Sequence, residues 1–279
     1  MKIGSRPIGL IAGDGAFPRM VAEALRASGL AVVAVAHDGE TDPELRASVD
    51  MFLSLPVGQL HRMIDYLKSA GVTEVVMAGG VKKTNLFHLQ PDARCAALLS
   101  QLASKGDDAL LVAFADELGR DGITVRSATD YLPELLTPVG EMTRPLLPRE
   151  WQDIRFGWQI AKTIGQMETG QCVVVLDGVV LAVEAIEGTS ATIRRGGSFA
   201  PGSRVIKVCK PQQDLRFDLP AVGLETIAAM KVVAARVLAV EAGRTLLFDR
   251  AQMLEEARAA DIAIVGWSET HPPPLIPAL

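Results

Sequence analysis

Cysteine and histidine are scarce in this chain of 279 residues, and their scarcity excludes several kinds of site. The three cysteines are odd in number and lack metal-ligand or redox spacing, which predicts buried free thiols. The four histidines are scattered, so neither a histidine zinc centre nor a catalytic triad built on histidine is supported. We therefore expect any catalytic metal to be a hard cation bound by oxygen ligands.

Long apolar runs are also lacking, although 49% of the residues are hydrophobic. No uninterrupted apolar stretch approaches the roughly 20 residues that a membrane span needs. Near the start, Gly13 and Asp14 interrupt a short apolar run before it could form the core of a signal peptide. The sequence therefore predicts a cytoplasmic protein that at most associates with a membrane surface.

An excess of positive charge is missing too, since 28 basic residues face 33 acidic ones and the net charge is −5. This balance argues against a nucleic-acid partner. Short basic clusters do occur, at Lys82-Lys83, Arg194-Arg195 and Lys207–Lys210. They suit a small ligand that carries phosphate, or they are solvated faces without a ligand.

The first half of the chain is typical of alternating strands and helices. The apolar run Pro7–Ala12 ends at Gly13-Asp14-Gly15, a helical pattern follows, and Ala31–Ala36 forms the next strand. A later strand, Glu74–Ala78, ends in a similar way at Gly79-Gly80. Such βαβ units predict a parallel sheet, whose carboxyl edge binds ligands in open α/β folds. The two glycine turns would then frame one pocket, unless they are ordinary tight turns.

The first glycine turn matches the dinucleotide fingerprint G-x-G-x-x-G only weakly. Pro18 stands where the third glycine belongs, and Asp38 alone represents the acidic residue expected after the second strand. A nicotinamide-dependent oxidoreductase that uses Gly13-Asp14-Gly15 is therefore one alternative function. A non-catalytic protein that binds a nucleotide or a lipid is another.

The second half of the chain predicts a separate α/β domain. An Asp177-Gly178 pair between apolar strands indicates a hairpin, and an alanine-rich pattern predicts a helix from Leu224 to Val240. The predicted organisation is a Rossmann-like parallel-sheet domain at 1–131, a proline-rich linker at 132–148, a mixed α/β catalytic domain at 149–268 and a flexible tail at 269–279. The site is expected in the cleft between the two domains.

The segment between Pro211 and Pro220 concentrates charge and backbone constraint. Its charged and apolar residues alternate strictly, which predicts a short strand with all charges on one face. In an extended strand Asp214 and Asp218 would lie about 13 Å apart, at roughly 3.3 Å per residue, too far to share one metal ion. The alternative is a solvated edge strand in which Arg216 neutralises both carboxylates.

Five stretches of the chain together indicate a family resemblance. They are LIAGDGAFP at 10–18, GDDALL at 106–111, VEAIEGT at 183–189, KPQQDLRFDLP at 210–220 and EAGR at 241–244. In this order they resemble the LpxI-type UDP-2,3-diacylglucosamine pyrophosphatases of lipid A synthesis. The resemblance implies a two-domain cytoplasmic enzyme that uses Mg²⁺ to cleave the diphosphate of a lipid sugar nucleotide, giving UMP and 2,3-diacylglucosamine 1-phosphate.

The same resemblance implies a set of site residues. The essential aspartate of the family's R-x-D-x-P motif matches Asp218, which we expect to be catalytic and a candidate Mg²⁺ ligand. The carboxylate four residues earlier matches Asp214, the second expected catalytic residue. The residues expected to bind substrate are Gly13, Asp14, Gly15, Gly80, Lys82, Asp107, Glu184, Glu187, Gly188, Thr189, Arg194, Lys210, Gln213 and Arg216.

Further expectations concern Asp107 and the partners. Asp107 is alternatively a helix cap, because it directly precedes a helical pattern. The implied partners are the acylated sugar nucleotide, the inner membrane as a peripheral contact, and a second copy of the chain in a homodimer.

Overall fold

The computed structural model describes residues 6–80, 90–102 and 107–270, except for the side chains of Asp107 and Asp108. The chain forms two compact units. The first unit contains Met1–Pro133 together with Asp214–Asp218, and the second contains Glu134–Gln213 and Leu219–Leu279. Each unit has its own sheet, and this confirms the predicted two-domain α/β class.

The first unit is built on a five-stranded parallel sheet of order β3-β2-β1-β4-β5. Its elements are β1 (Pro7–Ala12), α1 (Phe17–Ala27), β2 (Ala31–His37), β3 (Met51–Leu55), α2 (Leu60–Ser69), β4 (Glu74–Ala78), α3 (Ala93–Gln101), α4 (Asp107–Arg120) and β5 (Thr124–Arg126). This strand order reverses between β1 and β4, as in nucleotide-binding α/β folds. The Rossmann-like prediction is therefore confirmed.

The central strands of this sheet form for a simple physical reason. Nearly every residue of β1 and β2 is buried, and a parallel strand that is covered on both faces needs such a continuous apolar sequence. One core of the unit packs α2, α3 and α4 against the sheet, with Ile64, Leu67 and Leu118 fully buried. The carboxyl ends of the strands are then left as the edge on which loops and ligands can lie.

The second unit contains a six-stranded mixed sheet of order β6-β13-β11-β9-β7-β8. Its elements are β6 (Gly140–Glu141), α5 (Pro148–Gln166), β7 (Cys172–Leu176), β8 (Val179–Val183), α6 (Thr189–Gly197), β9 (Arg204–Lys207), β10 (Ala221–Val222), α7 (Leu224–Val232), β11 (Val237–Glu241), β12 (Leu246–Leu247), α8 (Arg250–Ala259) and β13 (Ala263–Trp267). Strands β9, β11 and β13 are parallel, and β10 pairs with β12 in a separate small sheet. The predicted hairpin is confirmed, with Asp177 and Gly178 at the positive φ angles that its turn needs.

The proline-rich stretch predicted as a linker is structured. Within it, Gly140–Glu141 forms β6 and pairs with β13. The backbone N–H and the hydroxyl of Thr137 both donate to the carbonyl of Thr245, at 2.9 and 2.8 Å. Four prolines in seventeen residues suppress helical and strand periodicity here, but they do not prevent individual hydrogen bonds to a sheet edge.

The long helix predicted from Leu224 to Val240 is wrong. Helix α7 ends at Val232, Ala234 has φ of 52°, and Val237–Glu241 forms the buried strand β11. Alanine and valine are compatible with both structures, and the tertiary contacts in the middle of the sheet decide for the strand.

The predicted strand between Pro211 and Pro220 is also wrong. The N–H groups of Phe217 and Asp218 donate to the carbonyl of Asp214, at 3.3 and 3.1 Å, so the chain turns instead of extending. The side chain of Asp214 accepts from the N–H of Arg216, at 3.0 Å, and this local bond favours a turn. The 13 Å separation expected for an extended strand between Asp214 and Asp218 therefore does not apply.

Candidate active site

Two glycine turns meet at the carboxyl edge of the first unit's sheet, where the strand order reverses. Gly13 follows β1, and its N–H donates to Ala78 at the end of β4, at 2.8 Å. Asp14 donates to the carbonyl of Gly80, at 2.7 Å. A side chain on Gly13 would collide with that Gly80 carbonyl, so the close approach of the two turns requires glycine.

This pairing bears on the dinucleotide alternative. A phosphate-binding glycine turn needs backbone N–H groups that point at the ligand. Here the N–H groups of Gly13 and Asp14 already donate to the neighbouring turn. The predicted pocket between the turns exists, but it does not have the hydrogen-bond donors of a dinucleotide site at these two positions.

A cavity of about 330 Å³ opens beside the turns. Most of its wall is apolar and comes from β1, β3, β4 and helices α2, α3 and α4. Its lining residues are Ile11, Gly13, His37, Leu55, Pro56, Val57, Gly58, Gln59, Leu60, Met63, Met77, Gly79, Gly80, Cys95, Leu99, Leu110, Leu111, Phe114, Phe217 and Asp218. Among these lining residues, Asp218 supplies a carboxylate.

The carboxylate of this wall, Asp218, comes from a segment that is distant in sequence. Asp214–Asp218 belongs to the first unit although both flanking stretches belong to the second. The hydroxyl of Ser127 donates to the carbonyl of Leu215, at 3.1 Å, and Phe217 packs against the core of the unit. These two contacts hold the segment so that adjacent side chains, Phe217 and Asp218, both line the cavity.

Asp214 has a different environment from Asp218. The guanidinium of Arg216 donates to both oxygens of Asp214, with distances of 2.6 to 3.0 Å, and also lies 5.4 Å from the ring centre of Phe217. These hydrogen bonds hold the pKa of Asp214 below its ordinary value, although burial acts in the opposite direction. The Asp214 carboxylate is therefore largely occupied by Arg216.

The predicted residues of the VEAIEGT stretch lie together in the second unit. Glu184 is buried, and its carboxylate accepts from the N–H of Gln171, at 2.9 Å, and the hydroxyl of Thr189, at 2.7 Å. Glu187 accepts from the N–H of Ala185, at 3.2 Å, and from the guanidinium of Arg195. Every one of these contacts stays within the loop and its neighbours.

The reason for this arrangement is the helix α6, which the sequence patterns did not predict. Gly188 is its N-cap residue with φ of 79°, and Thr189 is its first residue. Glu184 and Glu187 therefore place negative charge beside a helix N-terminus, where it is favourable. Arg194 lies in the last turn of α6 and is exposed.

The stretch that leads towards Asp214 is fixed by buried polar groups of the second unit. The carboxylate of Glu241 accepts from the N–H of Cys209, at 2.8 Å, and from Lys162, at 2.6 Å. Lys162 also donates to the carbonyl of Cys209, at 2.9 Å. The buried side chain of Gln213 accepts from the N–H of Lys210, at 3.0 Å. The sequence patterns missed the role of Lys162, since lysine in a helix usually faces solvent.

The structure thus brings some predicted site residues together and leaves others apart. Gly13, Gly80 and Asp218 line one cavity of the first unit, and Asp14 and Gly15 adjoin it in sequence. Lys82 and the side chain of Asp107 lie outside the described residues. Over the described part of the chain, no group of three His, Cys, Asp or Glu side chains is arranged to hold a metal ion. Nor does any helix of that part have the length and apolar sequence to cross a membrane.

Comparisons with known proteins give a consistent result over both halves of the chain. Residues 7–135 match the LpxI N-terminal domain, and residues 138–265 match the LpxI C-terminal domain. The chain is 33% identical over 276 residues to the UDP-2,3-diacylglucosamine pyrophosphatase LpxI of Caulobacter vibrioides. That alignment covers 94% of this chain and 97% of the relative.

Likenesses to solved structures are weaker. The biotin carboxylase subunit of pyruvate carboxylase is 13% identical, with 74% of this chain and 38% of that chain covered and a TM-score of 0.26. The biotin carboxylase domain of Hydrogenobacter thermophilus 2-oxoglutarate carboxylase is 16% identical, with the same coverage and a TM-score of 0.27. Scores this low carry no argument about fold or function.

Proposed function

This chain belongs to the LpxI family, and from that membership we infer that it is an enzyme, a UDP-2,3-diacylglucosamine pyrophosphatase of lipid A synthesis. The observation that carries the inference is the match of both LpxI domains in order, together with 33% identity over nearly the whole chain. The reaction is hydrolysis of the diphosphate, and the products are UMP and 2,3-diacylglucosamine 1-phosphate.

We propose that Asp218 is the catalytic carboxylate of this hydrolysis. Water attack on a phosphoanhydride needs a group that orients the water and accepts its proton, and a carboxylate can do both. Asp218 supports this role by its position, since it lies in the cavity beside the Gly13 and Gly80 turns. Asp214 holds Arg216 through two side-chain oxygens, so its proposed role is to position that guanidinium.

We propose that the cavity of the first unit receives an acyl chain of the substrate. Its wall is formed mainly by leucine, methionine, valine and phenylalanine side chains, which provide apolar contacts without a specific polar pattern. Each methylene that leaves water contributes about 0.8 kcal/mol, so even part of a chain would supply substantial binding free energy. Asp218 at the wall would then keep the reacting diphosphate near the polar end of the bound lipid.

Mg²⁺ is proposed as the cofactor, and binding this ion is the alternative role of Asp218 to orienting the water. Magnesium usually keeps several waters and binds through one or two carboxylates plus the phosphates of the substrate. A single carboxylate at the cavity fits that pattern, whereas a site made of protein ligands alone would need more of them. When bound, the ion supplies charge neutralisation on the phosphoryl oxygens. Arg216, Lys210 and Lys82 are the proposed additional phosphate contacts.

Localisation and assembly are proposed on the same basis. A cytoplasmic enzyme whose substrate carries two acyl chains has to reach lipid that prefers a membrane, which favours peripheral contact with the inner membrane. A homodimer is proposed from family membership alone. Sedimentation of the protein with and without phospholipid vesicles would test both proposals in one experiment.

The experiment that tests the function is incubation with UDP-2,3-diacylglucosamine, with Mg²⁺ in one series and a chelator in the other. The expected result is release of UMP that depends on Mg²⁺. Hydrolysis in ¹⁸O-labelled water identifies the phosphorus that water attacks, because the label appears either in UMP or in the sugar phosphate. Absence of UMP in every condition would overturn the proposed function, and equal release in the chelator would overturn only the role of Mg²⁺.

A further inference from the structure

His37 lies in the wall of the cavity that contains Asp218. It is the last residue of β2 and pairs in register with Leu55 of β3. Strand β2 is the direct neighbour of β1, so His37 lies at the same sheet edge as the Gly13 turn, one strand away. Neighbouring strands are about 4.8 Å apart. The imidazole is therefore part of the edge where we place the substrate.

The backbone of His37 is tightly held. Its N–H donates to the hydroxyl of Thr41, at 2.9 Å, and that hydroxyl donates to the carbonyl of Ala12, at 2.6 Å. The carbonyl of His37 accepts from the N–H groups of Glu40 and Thr41. These bonds join the ends of β1 and β2, so the ring is presented from a rigid support, as a binding group requires.

The ring has the Leu55 carbonyl beside it, but one of its nitrogens is unpaired. Its Nδ1 atom is buried and accepts or donates no hydrogen bond within the described parts of the chain. Burial lowers the pKa of the imidazole, and the opposing effects of the Leu55 carbonyl, Glu40 and Asp38 do not restore it. Buried polar atoms are normally paired, so an unpaired Nδ1 on a ring that lines a cavity needs an explanation.

Gln59 and Cys95, two other polar side chains of the wall, do not explain it. Gln59 donates its side-chain amide to the carbonyl of Gln90, at 2.7 Å, and Cys95 offers only a weakly polar thiol. In the present ring orientation Nδ1 is sealed from solvent. The χ2 torsion of histidine is broad and roughly two-fold. A half-turn of the ring would therefore place Nδ1 where the opposite edge of the ring now lies, so that Nδ1 could contact a bound molecule.

We propose that His37 is a substrate-contact residue that hydrogen-bonds a carbonyl or hydroxyl group of the acylated part of the substrate. A neutral imidazole can donate to a carbonyl or accept from a hydroxyl, and it can do so without adding charge to an apolar wall. The contact would fix how deeply the acyl chain lies in the cavity and thereby where the diphosphate lies relative to Asp218. This proposal rests on the proposed function and assigns a specificity role, while the chemistry stays with Asp218.

The test uses His37→Phe, which keeps the ring but removes both nitrogens, and His37→Asn, which keeps a polar group near the position of Nδ1. The matched control is His61→Phe, since His61 lies on α2 with 61% of its side chain exposed and does not line the cavity. For His37→Phe we expect KM for UDP-2,3-diacylglucosamine to rise about tenfold, which corresponds to about 1.4 kcal/mol, with kcat changed less than about threefold. His37→Asn should restore most of the affinity, and the control should match the wild type.

Inhibition by UDP-glucosamine, which has the same nucleotide sugar but no acyl chains, separates the possible contacts. Its inhibition constant should be unchanged in His37→Phe if the imidazole contacts the acylated part. An equal loss of affinity for UDP-glucosamine and the lipid substrate, or no loss for either, would overturn the proposal. If His37→Phe fails to fold, His37→Asn is tested in its place. In addition, the ¹⁵N signals of the His37 ring should shift when lipid substrate is added to Asp218→Asn protein. Wild-type turnover in the same assays shows independently whether the proposed function stands.

Discussion

Two acidic stretches of this chain have the same kind of local sequence and very different surroundings. The segment Asp214–Asp218 and the loop Glu184–Thr189 both combine two carboxylates with a nearby basic residue and a backbone-constraining residue. In the first, Asp218 lies in the wall of an apolar cavity. In the second, Glu184 and Glu187 accept hydrogen bonds from Gln171, from Ala185 of the loop and from helix α6.

The difference separates carboxylates that are held within the fold from the one for which we propose a catalytic role. A carboxylate whose oxygens accept backbone N–H and hydroxyl groups is stabilised by the fold and has little capacity left for a ligand. The buried Glu184, only 6% exposed, is of this kind. Asp218, whose neighbour Phe217 packs against the core of the first unit, lies in the wall of a cavity, and this position suits the catalytic role that we propose for it.

The largest effect should come from Asp218→Asn. The substitution keeps the shape of the side chain but removes its charge and its capacity to accept a proton. Loss of a positioned general base or metal ligand should lower kcat by about 10² to 10⁴, with the melting temperature nearly unchanged. UMP release and a thermal melt measure the two quantities. Normal turnover in this variant would show that the catalytic group lies elsewhere.

The next largest effect should come from Glu184→Ala, and on stability rather than on turnover. The substitution leaves the N–H of Gln171 and the hydroxyl of Thr189 without their acceptor, and an unpaired buried group costs about 1 to 3 kcal/mol. Denaturant unfolding should show this loss, while kcat per folded molecule stays near the wild-type value.

Glu187→Gln is the matched control, because Glu187 is exposed and its loss should change stability much less. A large drop in kcat for Glu184→Ala, with stability unchanged, would reverse the comparison. Glu184 would then bind substrate, as the resemblance of the VEAIEGT stretch implies.

The same contrast explains how far the sequence predicts this fold. Strands β1 and β4 and the Asp177-Gly178 hairpin have the predicted bounds or turn, because local apolar period and turn residues determine them. The strand predicted between Pro211 and Pro220 and the helix predicted to Val240 were wrong. In both cases contacts between residues that are distant in sequence determine the structure, and the local hydrophobic period does not.

For the site, too, the sequence predicts the residues that carry a local signal and misses those whose positions depend on distant contacts. Gly13, Gly80 and Asp218 are recognisable because glycine turns and the R-x-D-x-P motif are local signals, and the structure places them on one cavity. Ser127 and His37 carry no local signal, since a serine after a short strand and a histidine at a strand end are common. Their positions depend on strand order and on where Asp214–Asp218 folds back, and a single sequence does not show either.

A smaller effect should come from Ser127→Ala, which tests the anchor of the segment. The hydroxyl of Ser127 donates to Leu215 and also accepts from the N–H of Thr129, and loss of one such bond costs about 0.5 to 1.5 kcal/mol. Because Phe217 still packs in the core, we expect a loss of stability in this range and a reduction of kcat of a few fold. Ser100→Ala is the control, since the exposed Ser100 hydroxyl bonds only within its own helix. Turnover equal to that of the control would show that Phe217 alone positions Asp218.

The smallest effect concerns the response to pH. The hydrogen bonds of Arg216 lower the pKa of Asp214, whereas the pKa of Glu187 is lowered first by its own backbone N–H and only then by Arg195. A carboxylate with a lowered pKa in the folded state stabilises the fold above its unfolded pKa, and this contribution disappears as the pH falls through the folded pKa.

Arg216→Gln should therefore raise the pKa of Asp214 and, since the pair is partly exposed, reduce stability at neutral pH by only about 0.2 to 1 kcal/mol. The difference from the wild type should vanish as the pH falls well below about 4, where both forms of the protein hold Asp214 protonated. Arg195→Gln should leave the pKa of Glu187 still lowered in part, because the backbone bond remains. Carboxyl ¹³C titration by NMR measures both pKa changes. If the pKa of Asp214 in Arg216→Gln and the pKa of Glu187 in Arg195→Gln rise equally, the expected stronger effect of Arg216 is wrong.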